Sequence, residues 1–498
     1  MENAIMKRDR NFSRLYAFIA LLLICFYLVT ELAYDLWVRL ATSYGYFLIF
    51  ALVILSIFLR FFNSSKEEKC LVLYAAWFVV SRVLNGDMFL EREFYFLIRT
   101  ILLSECFICV GFILDREDRK RFLNLVCALV CGYWFILSVT GLYATVNFTR
   151  IQLPFTDMTV GHAVVSGNNQ FTIDNMHRNV SGVWFALATV MMIYQFFSCK
   201  VKLWRIPITV AAIVFYIATA MSFCRAAQIG LCIAITMLFM LLVLDRLVSK
   251  SRRFRTLVVA VIIVIVLPLS YLGFSAATGL CSALSSNPAE KQEEVLPDET
   301  EKLLSSPQMA SFEPKLLSAV ENEEKDDGEE TVIQGFSESR GRESLTILSG
   351  RIPLWKAGII VLREDSGRLL KGEMLDRYMV RVSEEAHKIY ESRSMLGTNH
   401  MHNFIYDALM LTGLPGALIL IVFTVFLLIR MIKVFFSTEK AVPLQLKLLT
   451  LPIAVLLLDN MMEACILRYA IMTSILFFVI SGIFLAWSYE VLPGTKKK

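Results

Sequence analysis

The feature that most limits what this chain can become is a series of apolar runs, each about 20 residues long, recurring from one end to the other. A helix of that length crosses the ~30 Å hydrocarbon core of a bilayer. Lipid offers no partner for open backbone groups, so such runs must be helical. Twelve spans are expected, near 15–34, 44–62, 70–86, 94–114, 122–146, 180–198, 204–222, 226–244, 255–275, 414–433, 444–463 and 468–490. With 57% hydrophobic residues over 498 positions, the composition excludes an ordinary soluble enzyme. The fold class read from the sequence is all-α, a polytopic membrane protein with about 12 transmembrane helices.

Charge sets the expected orientation. Clusters such as Arg116/Arg119/Lys120/Arg121 and Arg246/Lys250/Arg252/Arg253/Arg255 follow even-numbered spans, and the C-terminus adds Lys496, Lys497 and Lys498. Short loops rich in Lys and Arg stay in the cytoplasm, which puts both termini there and the two long loops outside. Lys7, Arg8, Arg10 and Arg14 precede the first run, which lacks a small-residue cleavage site and reads as a retained span. The formal net charge of +5 hides an acidic block, since Glu290 to Glu343 holds 16 acidic and 6 basic residues. The basic surplus elsewhere belongs to topology and gives no sign of nucleic-acid binding. The 11 cysteines are scattered, most of them in apolar runs. They read as small core hydrophobes.

Three domains follow: 1–275 with the first nine spans, a large extracytoplasmic loop over 276–413 with short helices, and 414–498 with the last three. Within the loop, 285–345 is rich in Glu, Asp, Ser and Pro and reads as a disordered acidic insert. From 348 to 413 the pattern turns helical, through Ile352, Trp355, Ile359, Ile360 and Leu362. This part is expected to form a helical cap, ending in a short helix over 403–412. Gly413-Leu414-Pro415-Gly416 breaks that helix, and Pro415 suits the first turn of the next span. The shorter outer loop, 147–179, is polar and holds His162 and His177.

Few residues carry chemistry. Arg225 lies in Ser222-Phe223-Cys224-Arg225-Ala226, almost without loop, between two spans. It reads either as a boundary arginine reaching for the interface or as an anion site facing the bundle. Arg351 opens the ordered part of the large loop, with Trp355 one turn on. His402 is the candidate base, because imidazole exchanges protons near neutral pH and can take one from a hydroxyl. His400 stands two residues away, but residues so spaced do not share a helix face, and the sequence offers no clear third ligand, so no metal and no cofactor are expected. Arg82, Arg99, Glu105, Asp459, Glu463 and Arg468 lie in or beside spans and should pair with one another.

His402-Asn403, nine residues, then Gly413-Leu414-Pro415-Gly416 resembles the signature of the bacterial O-antigen ligase/polymerase family of membrane glycosyltransferases. Cys224-Arg225-Ala226 is similar to that family's Ser-Arg-Gly/Ala element, with Cys for Ser. Gly350-Arg351 with Trp355 is similar to its arginine–tryptophan element, and Asn179 to its loop asparagine. Two threonines often follow the signature in ligases, whereas Ala417 and Leu418 stand here. The resemblance implies a GT-C-like helical fold in the bacterial inner membrane. It implies transfer of a glycan from an undecaprenyl-diphosphate-linked donor to a glycan or lipid-linked acceptor among membrane lipids, with inversion. In that reading Arg225 and Arg351 bind the diphosphate, His402 is the base, and Asn179, His400, Asn403 and Trp355 line the pocket. Ligase and polymerase stay open. The rival from another class is a lipid-linked oligosaccharide flippase, which would favour internal repeats and broken helices at the midplane; no clear repeat is seen.

Overall fold

A computed structural model describes residues 2–32, 48–56, 64–86, 92–147, 149–153, 159–165, 168–173, 178–247, 251–284, 351–373, 375–390, 401–439, 441–463 and 471–492. The acidic insert, His177, His400 and Arg468 lie outside them, as do the side chains of Arg99, His162 and Glu463.

In chain order the helices are α1 (Glu2–Leu32), α2 (48–56), α3 (Lys66–Asn85), α4 (Arg92–Ile113) and α5 (Arg116–Val146). After a small sheet come α6 (Arg178–Ser198), α7 (Arg205–Met221), α8 (Arg225–Arg246) and α9 (Arg252–Leu284). The cap holds α10 (Arg351–Glu364), α11 (Ser366–Lys371) and α12 (Leu375–Tyr390), and the chain ends with α13 (Phe404–Phe435), α14 (Leu444–Leu448), α15 (Thr450–Glu463) and α16 (Ile471–Val491). Among the described residues nine helices are long and apolar enough to cross a membrane. The other three expected spans fall on α2, α3 and α4. The described part of α2 is short, α3 carries Lys66, Glu67, Glu68, Lys69 and Arg82 within 20 residues, and α4 has an apolar but short stretch over Ser104–Ile113. The chain is thus an all-α polytopic membrane protein, with one small β element among the described residues.

Burial separates central helices from lipid-facing ones. Of the span in α16, 94% is buried, against 11% of that in α9, whose Val264, Ile265 and Leu272 point outward. A central helix needs close neighbours, and α16 has one in α4. A side chain on Gly111 would run into the backbone at Gly482, and one on Gly482 into the backbone at Ile108. Small residues let helix backbones touch in lipid, where the hydrophobic effect gives no drive to pair.

The sheet was not expected. Within the loop read as polar, β1 (Arg150–Gln152), β2 (Thr159–Val165) and β3 (Asn168–Ile173) form an antiparallel sheet in the order β1-β2-β3. His162 pairs with Phe171 in register. Phe171 is fully buried, its ring 5.3 Å from Phe185 of α6 and resting where Gly141 of α5 leaves room. The apolar payload of this loop is small but concentrated in Val160, Phe171 and Ile173. That is enough to seat three short strands on α5.

Candidate active site

The break predicted at Gly413 is present and organises the cap end of the bundle. Gly413 has φ +68° and ψ −174° inside α13, a conformation that favours glycine. A kink strips the preceding carbonyls of their i+4 partners, and buried carbonyls need replacements. Here Met410 O accepts from Glu373 N at 2.7 Å, Thr412 O from Trp77 Nε1 at 2.8 Å, and Leu411 O from Arg82 Nη2. Buried Arg82, expected to pair with another of the intramembrane charges, grips the kink through backbone carbonyls, with Lys371 O at the end of α11 as a further one. The glycines permit this closeness. A side chain on Gly413 would overlap the Leu370 carbonyl, one on Gly372 the Leu411 carbonyl, and one on Gly416 the Thr412 side chain. The spacing in the motif therefore sets a length. About nine residues at 1.5 Å each hold the start of α13 roughly 14 Å above a clamped hinge.

At that start stands His402, half-buried, with φ +50°. The left-handed region costs a non-glycine residue about 1–2 kcal/mol, so the neighbours must impose it. Asn403 caps α13: its Oδ1 accepts from Ile405 N at 3.0 Å and Tyr406 N at 3.2 Å, and its Nδ2 donates to Met461 O at 3.0 Å. On the other side, Met401 N donates to Asp407 Oδ1 at 3.0 Å, and Met401 O accepts from Trp355 Nε1 at 2.7 Å. The Trp355 ring stacks on Tyr406, centroids 5.2 Å apart and 8° from parallel. Trp355 acts here through its indole N–H and its face.

Arg351 sits in the first described turn of α10, two residues before Pro353, which suits a helix start. Its Nη1 lies 3.4 Å from Met462 Sδ. Arg351 and Asn403 thus meet the same place, the end of α15. That end leads to Arg225. Lys447, just before α15, pairs with Asp245 at the end of α8 at 3.7 Å, and Gly230 of α8 touches Val455 of α15. The two helices therefore run antiparallel, and the start of α8 faces the end of α15. Counting from the Gly230–Val455 contact, Arg225 lies about 7.5 Å and Met462 about 10 Å toward the cap. Arg225 and Arg351 thus approach one level from bundle and cap.

Arg225 is exposed, while Cys224 and Ala226 beside it are buried. The turn before it carries the second positive φ among the described non-glycine residues, Phe223 at +52°. Ser222 Oγ bridges Thr219 O at 2.8 Å and Cys224 N at 3.3 Å, and Cys224 Sγ lies 3.6 Å from Asn179 O. Asn179 is therefore beside the Arg225 turn through its backbone. Gly182 lets α6 approach, since a side chain there would overlap Cys224 Cβ and Ser222 Oγ. Cys224, at the cap position of α8, makes no side-chain capping bond.

Sequence reasoning did not single out Asp407, Tyr378, Met461 or Met462. Asp407 had a weak signal, an acid in the first turn of a helix, which reads as routine dipole compensation. Among the described residues no three His, Cys, Asp or Glu side chains come together as a metal would need.

The O-antigen ligase family model matches residues 208–421, from within α7 through the kink in α13. That stretch includes Arg225, Arg351, His402, Asn403 and Gly413. A search of curated proteins returns no match.

Proposed function

We propose that this membrane protein, whose residues 208–421 match the O-antigen ligase family model, transfers a glycan from a polyprenyl diphosphate, of the undecaprenyl type, to an acceptor hydroxyl at the cap end of the bundle. What carries this reading is the similar height of Arg225 and Arg351 along the bundle, Arg351 lying against the end of α15 that also holds Asn403. Two guanidinium groups at about the same height suit a dianionic group, because guanidinium binds phosphate oxygens bidentately. A unit charge pair about 4 Å apart gains roughly 4 kcal/mol at an effective dielectric of ~20. The start of α8 adds backbone N–H groups of the same sign.

The chemistry balances without further groups. The acceptor oxygen bonds to the anomeric carbon as the bond from that carbon to the diphosphate oxygen breaks. One ring nitrogen of His402 takes the hydroxyl proton, and the two arginines hold the charge on the departing diphosphate. Attack from the face opposite the leaving group inverts the anomeric centre. No metal is required in this scheme. Cap and catalytic turn lie outside the cytoplasm, with both termini inside, by the distribution of basic loops. The domain division read from the sequence, with 276–413 as an extracytoplasmic insertion between two helical parts, belongs to the same proposal.

An apolar cavity of about 380 Å³ supports a lipid-borne donor. It lies between α8, α13 and α15, lined by Met237, Leu428, Met431, Leu457 and Met461 among others. It starts at Met461, whose carbonyl holds Asn403, and reaches Thr450, about 16 Å along α15. A hydrocarbon tail lying there would present its head group beside the His402 turn. The test is the lipid-linked sugar that accumulates when the protein is removed from its cell. Single repeat units on the carrier mark a polymerase, and long chains left on the carrier mark a ligase. Unchanged lipid-linked pools and surface glycan, or a block on the cytoplasmic side as a flippase would give, contradict the proposal.

A further inference from the structure

We infer that Asp407 is a positioning residue for His402, an inference that rests on the base role proposed above. Asp407 is 1% exposed and stands one turn into α13. An acid so buried needs donors, and two of them are informative. Its Oδ1 accepts from Tyr378 OH of α12 at 3.0 Å and from Met401 N at 3.0 Å. Met401 is the residue before His402, fully buried, and its carbonyl is held by Trp355 of α10. Both backbone polar groups of Met401 are thus tied to different elements, and Asn403 on the far side is tied to α13 and α15. His402 is the one residue between these anchors, and it takes the strained φ of +50°.

A carboxylate that only compensated the helix dipole would not need to reach back to Met401. Asp407 joins α10, α12 and α13 at a single backbone point, so the arrangement of the cap fixes the direction of the imidazole. What His402 needs from Asp407 is an acceptor at this place, and an amide oxygen supplies one as well. The inference therefore separates acceptor from charge.

The experiment uses the full chain, purified in detergent or nanodiscs, with a lipid-linked glycan donor of defined structure. Asp407→Ala is expected to lower kcat roughly 100-fold, the scale of a misplaced catalytic group, with donor KM within about twofold. Asp407→Asn is expected to stay within about fivefold of wild type. In a His402→Ala background, Asp407→Ala should add nothing. Trp355→Phe, which keeps the ring and loses the bond to Met401 O, should lower kcat about tenfold and carries the test if Asp407→Ala does not fold. Wild-type kcat in Asp407→Ala or in Trp355→Phe overturns the inference. So does equal impairment of Asp407→Asn and Asp407→Ala, which would assign a role to the charge, or a full additional loss in the His402→Ala background. If His402→Ala itself keeps wild-type activity, the base role falls first; if His402→Ala is inactive and Asp407→Ala is not, only the positioning role falls.

Discussion

Two turns at the cap end pose the same backbone problem and solve it differently. Phe223 and His402 both have positive φ, and each stands just before a helix that carries a proposed functional residue. The Phe223 turn is held by fit. Gly182 brings α6 against Cys224 and Ser222, both buried, and the bonds are local. The His402 turn is held by directed hydrogen bonds from α10, α13 and α15. A turn held by fit should resist the loss of a single bond and fail when volume is added. A turn held by bonds should do the reverse. The comparison teaches where each half of the proposed site is fragile: the diphosphate half through packing, the proton-transfer half through polarity.

The largest effect should come from the side chains themselves. His402→Ala removes the base and is expected to lower transfer by about 10²–10⁴-fold, and Arg225→Ala and Arg351→Ala should each reduce it severely, with all three proteins still reaching the membrane. Quantifying glycan transfer against protein in the membrane fraction checks this. Next comes the hinge. Gly413→Ala puts a side chain at φ +68° against the Leu370 carbonyl and should cost about 1–3 kcal/mol, seen as a lower thermal midpoint in detergent.

The sharpest contrast uses two conservative changes. Gly182→Ala meets Cys224 Cβ and Ser222 Oγ, atoms that cannot swing away, and overpacking costs about 1–3 kcal/mol. Gly358→Ala meets only the tip of Met401, a flexible thioether, and should cost less than about 1 kcal/mol. Paired denaturation and donor-affinity measurements decide it, and equal losses would break the comparison. The smallest effect belongs to Lys447→Gln. Its partner Asp245 is 55% exposed, so the pair contributes no more than about 1 kcal/mol. Full activity is expected, because the antiparallel contact of α8 and α15 continues through Gly230 and Val455.

The sequence made the helical class legible because lipid permits few alternatives, and it located the kink because Gly413 and Pro415 break helices for local reasons. The length from His402 to the hinge was also visible as spacing, though its purpose was not. That purpose needs Arg82, Trp77 and Glu373, which come from elements far away in the chain. The sheet over 150–173 escaped because its strands are short and its buried payload is a few residues among polar ones. Asp407 escaped because its partners, Tyr378 and the Met401 backbone, are set by the cap's packing, which local pattern does not encode. The meeting of Arg351 with the end of α15 was equally hidden, since no periodicity links Arg351 to Met462.

The most direct test of the central claim is a paired binding and turnover measurement on His402→Ala with a polyprenyl-diphosphate-linked glycan and its acceptor. The account predicts donor binding within about twofold of wild type, since the diphosphate is held by the arginines, with transfer lowered about 10²–10⁴-fold. Transfer at the wild-type rate by His402→Ala would contradict it.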